Sequence, residues 1–207
     1  MRIDDVLSAA SVIPVLELDR LDDAAPLATA LAAGGLRVVE LTLRTDAALG
    51  AARLMRKAAP ALIVGMGSIR SADDAKRSID AGAQFLVTPG ASPSLLTALA
   101  ESKAPSLPGI ATASEAMIAA DAGFAAMKFF PAESAGGVPF LKAIAGPLPN
   151  LRFCPTGGIS ADKAPGYLAL PNVACVGGSW IATKAMIESG DWKAIEQNAR
   201  RAGLLKR

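Results

Sequence analysis

Short apolar runs alternate with alanine-rich stretches of helical period along nearly all of the 207 residues. The runs at 12–18, 38–43, 62–68, 85–89, 106–111, 126–131, 152–156 and 173–178 read as buried β-strands. The stretches between them predict helices over 21–33, 46–59, 72–81, 93–101, 114–122, 138–145 and 162–168. A last helix is predicted over 191–204 and an extra one near 3–10. Asp46, Ser71, Ser92 and Ser114 are placed to cap helix N-termini with a side-chain oxygen. Gly34, Gly82 and Gly123 stand where a helix ends in a left-handed residue, and each leads into an apolar strand.

Strands that alternate with helices pair in parallel through right-handed crossovers. Eight such units predict a single (β/α)₈ TIM barrel over residues 1–207, with the extra helix ahead of its first strand. An open doubly wound sheet is the other arrangement compatible with this order. Its glycine-rich dinucleotide fingerprint is missing, because the first strand leads into Asp19-Arg20-Leu21-Asp22. In a barrel, chemistry is expected at the C-terminal ends of the strands.

Hydrophobic residues make up 52% of the chain and aromatics only 4%, so the core is built from small aliphatic side chains. A net charge of +2 with scattered basic residues argues against a nucleic-acid or anionic-membrane partner. No stretch is apolar for long enough to span a bilayer. Met1 to Ala10 lacks the order of a signal peptide, so a cytoplasmic location is expected. Cys154 and Cys175 are read as small buried hydrophobes, without a CxxC pattern. The chain has no histidine, which removes Ser-His and Cys-His nucleophile pairs and His-based zinc sites. Acid–base work then falls to Glu, Asp, Lys, Tyr or Cys.

Against that background Lys128 stands out, in the middle of Ala126-Met127-Lys128-Phe129-Phe130-Pro131. Burying an ammonium is costly, so such a lysine is either paired with a carboxylate or partly neutral. A neutral amine is a nucleophile that forms Schiff bases with carbonyls. Every other lysine, Lys184 and Lys206 included, falls on a helix, loop or tail and reads as a solvated charge. In the second strand, side-chain alternation puts Glu40, Thr42 and Arg44 on one face and Val39, Leu41 and Leu43 on the other. The polar set then points inward. It makes either an internal Glu40–Arg44 ion pair or a proton-shuttling carboxylate beside an arginine that binds a substrate carboxylate. Two glycine pairs, Gly157-Gly158 and Gly177-Gly178-Ser179, follow the last two strands, where barrels build phosphate sites. Ser68 and Pro89 are expected at the mouth. The set fits a metal-free aldolase acting on a phosphorylated 2-oxo acid.

These residues carry a resemblance to the 2-keto-3-deoxy-6-phosphogluconate (KDPG) and 4-hydroxy-2-oxoglutarate aldolases, class I aldolases of bacteria. It runs through Val12-Ile13-Pro14-Val15, Val39-Glu40-Leu41-Thr42-Leu43-Arg44-Thr45, Lys128-Phe129-Phe130-Pro131-Ala132-Glu133, Arg152 to Ile159 and Val176-Gly177-Gly178-Ser179-Trp180. The resemblance implies a homotrimer of barrels that uses no cofactor and no metal. It implies cleavage of KDPG to pyruvate and glyceraldehyde 3-phosphate in the Entner–Doudoroff pathway. It also implies roles: Lys128 for the Schiff base and Glu40 as general acid and base. Arg44 and Ser68 would hold the pyruvyl carboxylate, Pro89 and Phe130 would line the pocket, and Thr156 would contact substrate. Gly157, Gly158, Gly178 and Ser179 would bind phosphate. Gly65-Met66-Gly67-Ser68 departs from the family's usual Gly-Ala-Gly-Thr, and Met66 is expected to share the face of Ser68 and crowd the pocket. A phosphosugar isomerase or epimerase on the same barrel, or a phosphometabolite-binding protein without turnover, are the competing readings.

Overall fold

Every strand pairing among the described residues is parallel. A computed structural model describes residues 1–205, so the exposure expected of Lys206 lies outside the described residues. The strands are β1 Val12–Leu16, β2 Val38–Thr42, β3 Ile63–Gly67, β4 Leu86–Val87, β5 Ser106–Leu107, β6 Gly109–Ile110, β7 Ala126–Phe129, β8 Arg152–Pro155 and β9 Val176–Gly178. They form a six-stranded sheet ordered β5-β4-β3-β2-β1-β9 and a three-stranded sheet ordered β6-β7-β8. The two pieces meet at both edges. The chain runs from β5 to β6 through Pro108, and Thr156 bridges to Gly177 beside β8 and β9. The result is an α/β fold built on a curled parallel sheet.

The predicted strand at 106–111 is thus split in two, because proline has no N–H to give the ladder. The helices are α1 Ile3–Ser8, α2 Ala24–Ala33, α3 Ala48–Ala58, α4 Ala72–Asp80, α5 Pro93–Ser102, α6 Ala113–Asp121, α7 Gly137–Ala145, α8 Ala164–Leu168, α9 Lys184–Glu188 and α10 Trp192–Gly203. The sequence pattern misses α9, whose five residues are too short to show a period. Ser71 and Ser92 cap α4 and α5 as expected. Asp46 and Ser114 do not cap: Ala47 holds the N-cap position of α3 without a side-chain bond, and Thr112 caps α6 in a reciprocal pair with Glu115. Gly34 keeps a right-handed backbone, and Gly35 takes the left-handed position instead. No helix among the described residues is long and apolar enough to cross a membrane.

Alternation along the strands sorts the core into two bodies. Val39, Leu41, Val64, Met66, Met127, Phe129 and Phe153 belong to the larger one, between the sheet and its helices. Ile13, Val38, Phe85, Val87, Leu107, Ala126 and Cys154 form a smaller cluster inside the curl. Val6 and Leu7 of α1, both fully buried, join that inner cluster and close the N-terminal end of the curl with apolar side chains. Cys154 and Cys175 are both buried there, as read from the sequence.

Candidate functional site

Lys128 lies on the same face of β7 as Ala126, inside the curl, because Met127 and Phe129 turn outward to the helices. Its ammonium donates to Glu40 Oε1 at 3.0 Å, and both side chains are more than nine-tenths buried. The ring of Phe130 stands 5.2 Å from Lys128 Nζ, a favourable place for a cation over an aromatic face. Glu40 comes from β2, where Val39 and Leu41 face the helices. Its carboxylate occupies space that only a glycine leaves free. A Cβ on Gly67 would fall 2.0 Å from Glu40 Oε1. The glycines of β3 therefore face inward, and this overturns the expectation for Met66. That side chain is fully buried on the helix side. Ser68 follows at φ 61, a left-handed backbone that breaks the alternation and brings the serine to the mouth without Met66.

Past the end of β2 the Glu40–Arg44 ion pair, one of the two readings of this face, does not form. Arg44 Nε donates to Ser68 Oγ at 3.1 Å, and Arg44 Nη1 lies 3.5 Å from Glu17 Oε2. Arg44 is half-exposed at the rim, while Glu40 is deep inside. Thr42, between them on β2, is buried and donates to the carbonyl of Leu16 at 2.9 Å. Ser68 and Pro89 line a side cleft of about 360 Å³ with Arg44 and Arg70.

A second cleft of about 370 Å³ opens on the other side of Arg44. Phe130, Thr156, Gly157, Gly158, Gly178 and Ser179 all line it. Lys128 and Glu40 line neither cleft. They lie beneath the mouth, with the Phe130 ring over the amine. The two glycine pairs turn out to be different objects. Gly157 and Gly158 take φ +103 and +76, a left-handed turn open only to glycine. Gly177 and Gly178 are extended and belong to β9 itself, so they do not follow the strand as expected. Behind the left-handed turn stands Glu133. A Cβ on Gly158 would meet its side chain at 2.9 Å, and its amide donates to the carbonyl of Gly157 at 3.1 Å. Glu133 accepts hydrogen bonds from Lys163 and Tyr167, and these hold its carboxyl below the ordinary 4.5.

Two charged residues of the mouth escape the sequence reading. Glu17 follows Ile13 and Val15 at two-residue spacing and lines the cleft. It stands inside the predicted 12–18 run, and applying the alternation there would have found it. Lys184, at the start of α9, is exposed, as read from the sequence, and also lines the cleft. Its ammonium is 2.6 Å from Asp19 Oδ2 and 3.6 Å from Glu17 Oε1. No local signal marks it, since it depends on where a short unpredicted helix packs. Among the described residues no cluster of three or more His, Cys, Asp or Glu could hold a metal ion.

Comparison with known proteins places this arrangement. The family model "KDPG and KHG aldolase" matches residues 3–198. The chain is 48% identical over 199 residues to the 2-dehydro-3-deoxy-phosphogluconate aldolase of Dickeya dadantii, spanning 96% of this chain and 93% of that one. It superposes with a TM-score of 0.96 and 42% identity on the KDPG aldolase of Legionella pneumophila, covering 98% of both chains. In that structure pyruvate was captured as a covalent carbinolamine. The Zymomonas mobilis ZM4 enzyme, solved with 3-phosphoglycerate, matches at TM-score 0.93 and 43% identity, covering 99% of this chain and 96% of that one. The chain belongs to the KDPG and KHG aldolase family.

Proposed function

We propose that this aldolase cleaves 2-keto-3-deoxy-6-phosphogluconate to pyruvate and glyceraldehyde 3-phosphate through a Schiff base on Lys128. Its setting is a closed (β/α)₈ barrel over 1–207, with β5 and β6 counted as one strand and α1 across the N-terminal end. The observation that carries the chemistry is the buried Lys128–Glu40 contact of 3.0 Å. An ammonium cannot attack a carbonyl, and Glu40 is within reach to take its proton. The free amine adds to C2 of the 2-oxo acid, giving a carbinolamine. Glu40 then supplies a proton as the C2 oxygen leaves as water, and a cationic iminium remains. Glu40 next accepts the proton of the C4 hydroxyl, directly or through a water. The C3–C4 electron pair flows into the iminium, and glyceraldehyde 3-phosphate departs. Protonation of the enamine at C3 and hydrolysis of the imine release pyruvate and restore the amine.

The other groups position the substrate. Arg44, steadied by Ser68 and Glu17, offers a planar fork to the substrate carboxylate. Pro89 and Phe130 bound the reacting end, and Thr156 reaches the chain of the substrate. The Gly157-Gly158 turn, Gly178 and Ser179 are left for the phosphate at the far end. 4-Hydroxy-2-oxoglutarate, with a carboxylate on C4 in place of the phosphorylated C5–C6 tail, is a second substrate. The isomerase reading and the non-catalytic reading both leave Lys128 and Glu40 buried together without a task. A homotrimer acting in the cytoplasm completes the proposal, supported by the family resemblance.

The test is reduction with borohydride in the presence of pyruvate, followed by peptide mass spectrometry. The adduct is expected on Lys128. An adduct on another lysine, or none during turnover, would refute the assignment.

A further inference from the structure

The cleft beside the glycine turn is lined by two cations, Arg44 and Lys184, and by one anion, Glu17. Arg44 belongs to the end of the cleft that faces Ser68. Lys184 follows Thr183 on the side where Gly178 and Ser179 also line the wall. It is not placed there by chance of rotamer. Asp19 and Glu17 flank its ammonium at 2.6 and 3.6 Å, and both project from the segment just past β1. Hydrogen bonding to Asp19 keeps the lysine pKa above its ordinary 10.5, so the charge persists at every working pH. Glu17 couples this cation to Arg44, since its other oxygen lies 3.5 Å from the guanidinium. A chain of ion pairs, Arg44–Glu17–Lys184–Asp19, therefore links the two cations of the cleft.

An ammonium has three N–H donors, and two carboxylates occupy at most two directions. A phosphate dianion entering the cleft would meet neutral backbone amides and hydroxyls together with the Lys184 ammonium. Charge-assisted hydrogen bonds are about twice as strong as neutral ones. A substrate ending in a neutral hydroxyl gains nothing comparable from Lys184.

We infer that Lys184 is the specificity-determining cation of the phosphate subsite, set in place by Asp19 and Glu17, and that it makes this aldolase prefer phosphorylated 2-oxo acids. The inference rests on the proposed reading of the cleft. It concerns recognition at the far end of the substrate, not bond cleavage.

The test compares wild type, Lys184→Met and Lys184→Arg in two measurements. The first is kcat/KM on KDPG and on the same acid without its phosphate. The second is calorimetric titration with 3-phosphoglycerate. In Lys184→Met the ratio of the two kcat/KM values is expected to fall by about 10- to 100-fold, the size of one charged hydrogen bond. The loss should lie in KM, and 3-phosphoglycerate should bind weaker by a similar factor. Lys184→Arg should restore most of both. An unchanged ratio, or equal binding of 3-phosphoglycerate by wild type and Lys184→Met, would overturn the inference. Failure of borohydride trapping on Lys128 would instead remove the Schiff-base reading, while the titration would still decide the role of Lys184.

Discussion

The two ends of the curled sheet are built from the same strands and serve opposite purposes. At the N-terminal end, Val38 of β2 and Ala126 of β7 pack against Val6 and Leu7 of α1, and the interior is dry and apolar. Two residues further along the same strands, on the same face, stand Glu40 and Lys128. The first layer seals the curl; the second places a charged pair just above that seal. A buried ion pair is weak evidence for stability, because desolvation can cost as much as the attraction returns. The apolar end therefore holds the fold, and the polar end tolerates its charges because that fold is already secured. Changes at the two ends should accordingly separate stability from activity.

The largest effect is expected from Lys128→Met. Turnover should fall to the assay background and the pyruvate adduct should vanish. Thermal unfolding should show the cost of leaving Glu40 buried alone, about 3–5 kcal/mol unless that carboxyl takes up a proton. Lys128→Met with full activity would dissolve the contrast between the two ends. Glu40→Gln comes next, with kcat lower by the ~10²–10⁴-fold typical of general acid–base catalysis, measured by coupled assay of pyruvate release. Leu7→Ala, at the sealed end, should do the reverse. Stability should drop by about 2–5 kcal/mol in urea unfolding. The kcat of the folded fraction should stay close to wild type. A matching loss of kcat would show that the seal and the site are not separable.

The smallest effect concerns the support of the glycine turn. Hydrogen bonds from Lys163 and Tyr167 lower the pKa of Glu133 in the folded protein. A depressed carboxyl stabilises the fold above its unfolded value, and that contribution is lost as pH falls through the lower folded value. Glu133→Gln should therefore flatten the acid limb of Tm against pH below about 4.5 and leave the curve near pH 7 little changed in shape. The group is close to solvent, so the change should be small.

Legibility in the sequence followed the range of the interaction involved. The two-residue period of β2 and β7 put Glu40 and Lys128 on interior faces, since Val39, Leu41, Met127 and Phe129 had to reach the helices. That reasoning is local and it held. It failed for Met66 because one left-handed residue, Ser68, turns the chain out of the strand pattern. It missed α9, and with it Lys184, because five residues carry no period.

The sequence alone therefore determined the alternation of strands and helices, the parallel pairing, the inward lysine and the glycines of the mouth. Each of these is dictated by backbone geometry and by which side chains avoid water. Only the tertiary structure decided that the partner of Lys128 is Glu40, 88 positions away, that Arg44 is bound by Ser68 and Glu17 instead, and that Lys184 joins the rim. Those choices depend on strand register and on the curl of the sheet, which bring together atoms whose separation along the chain carries no local signal.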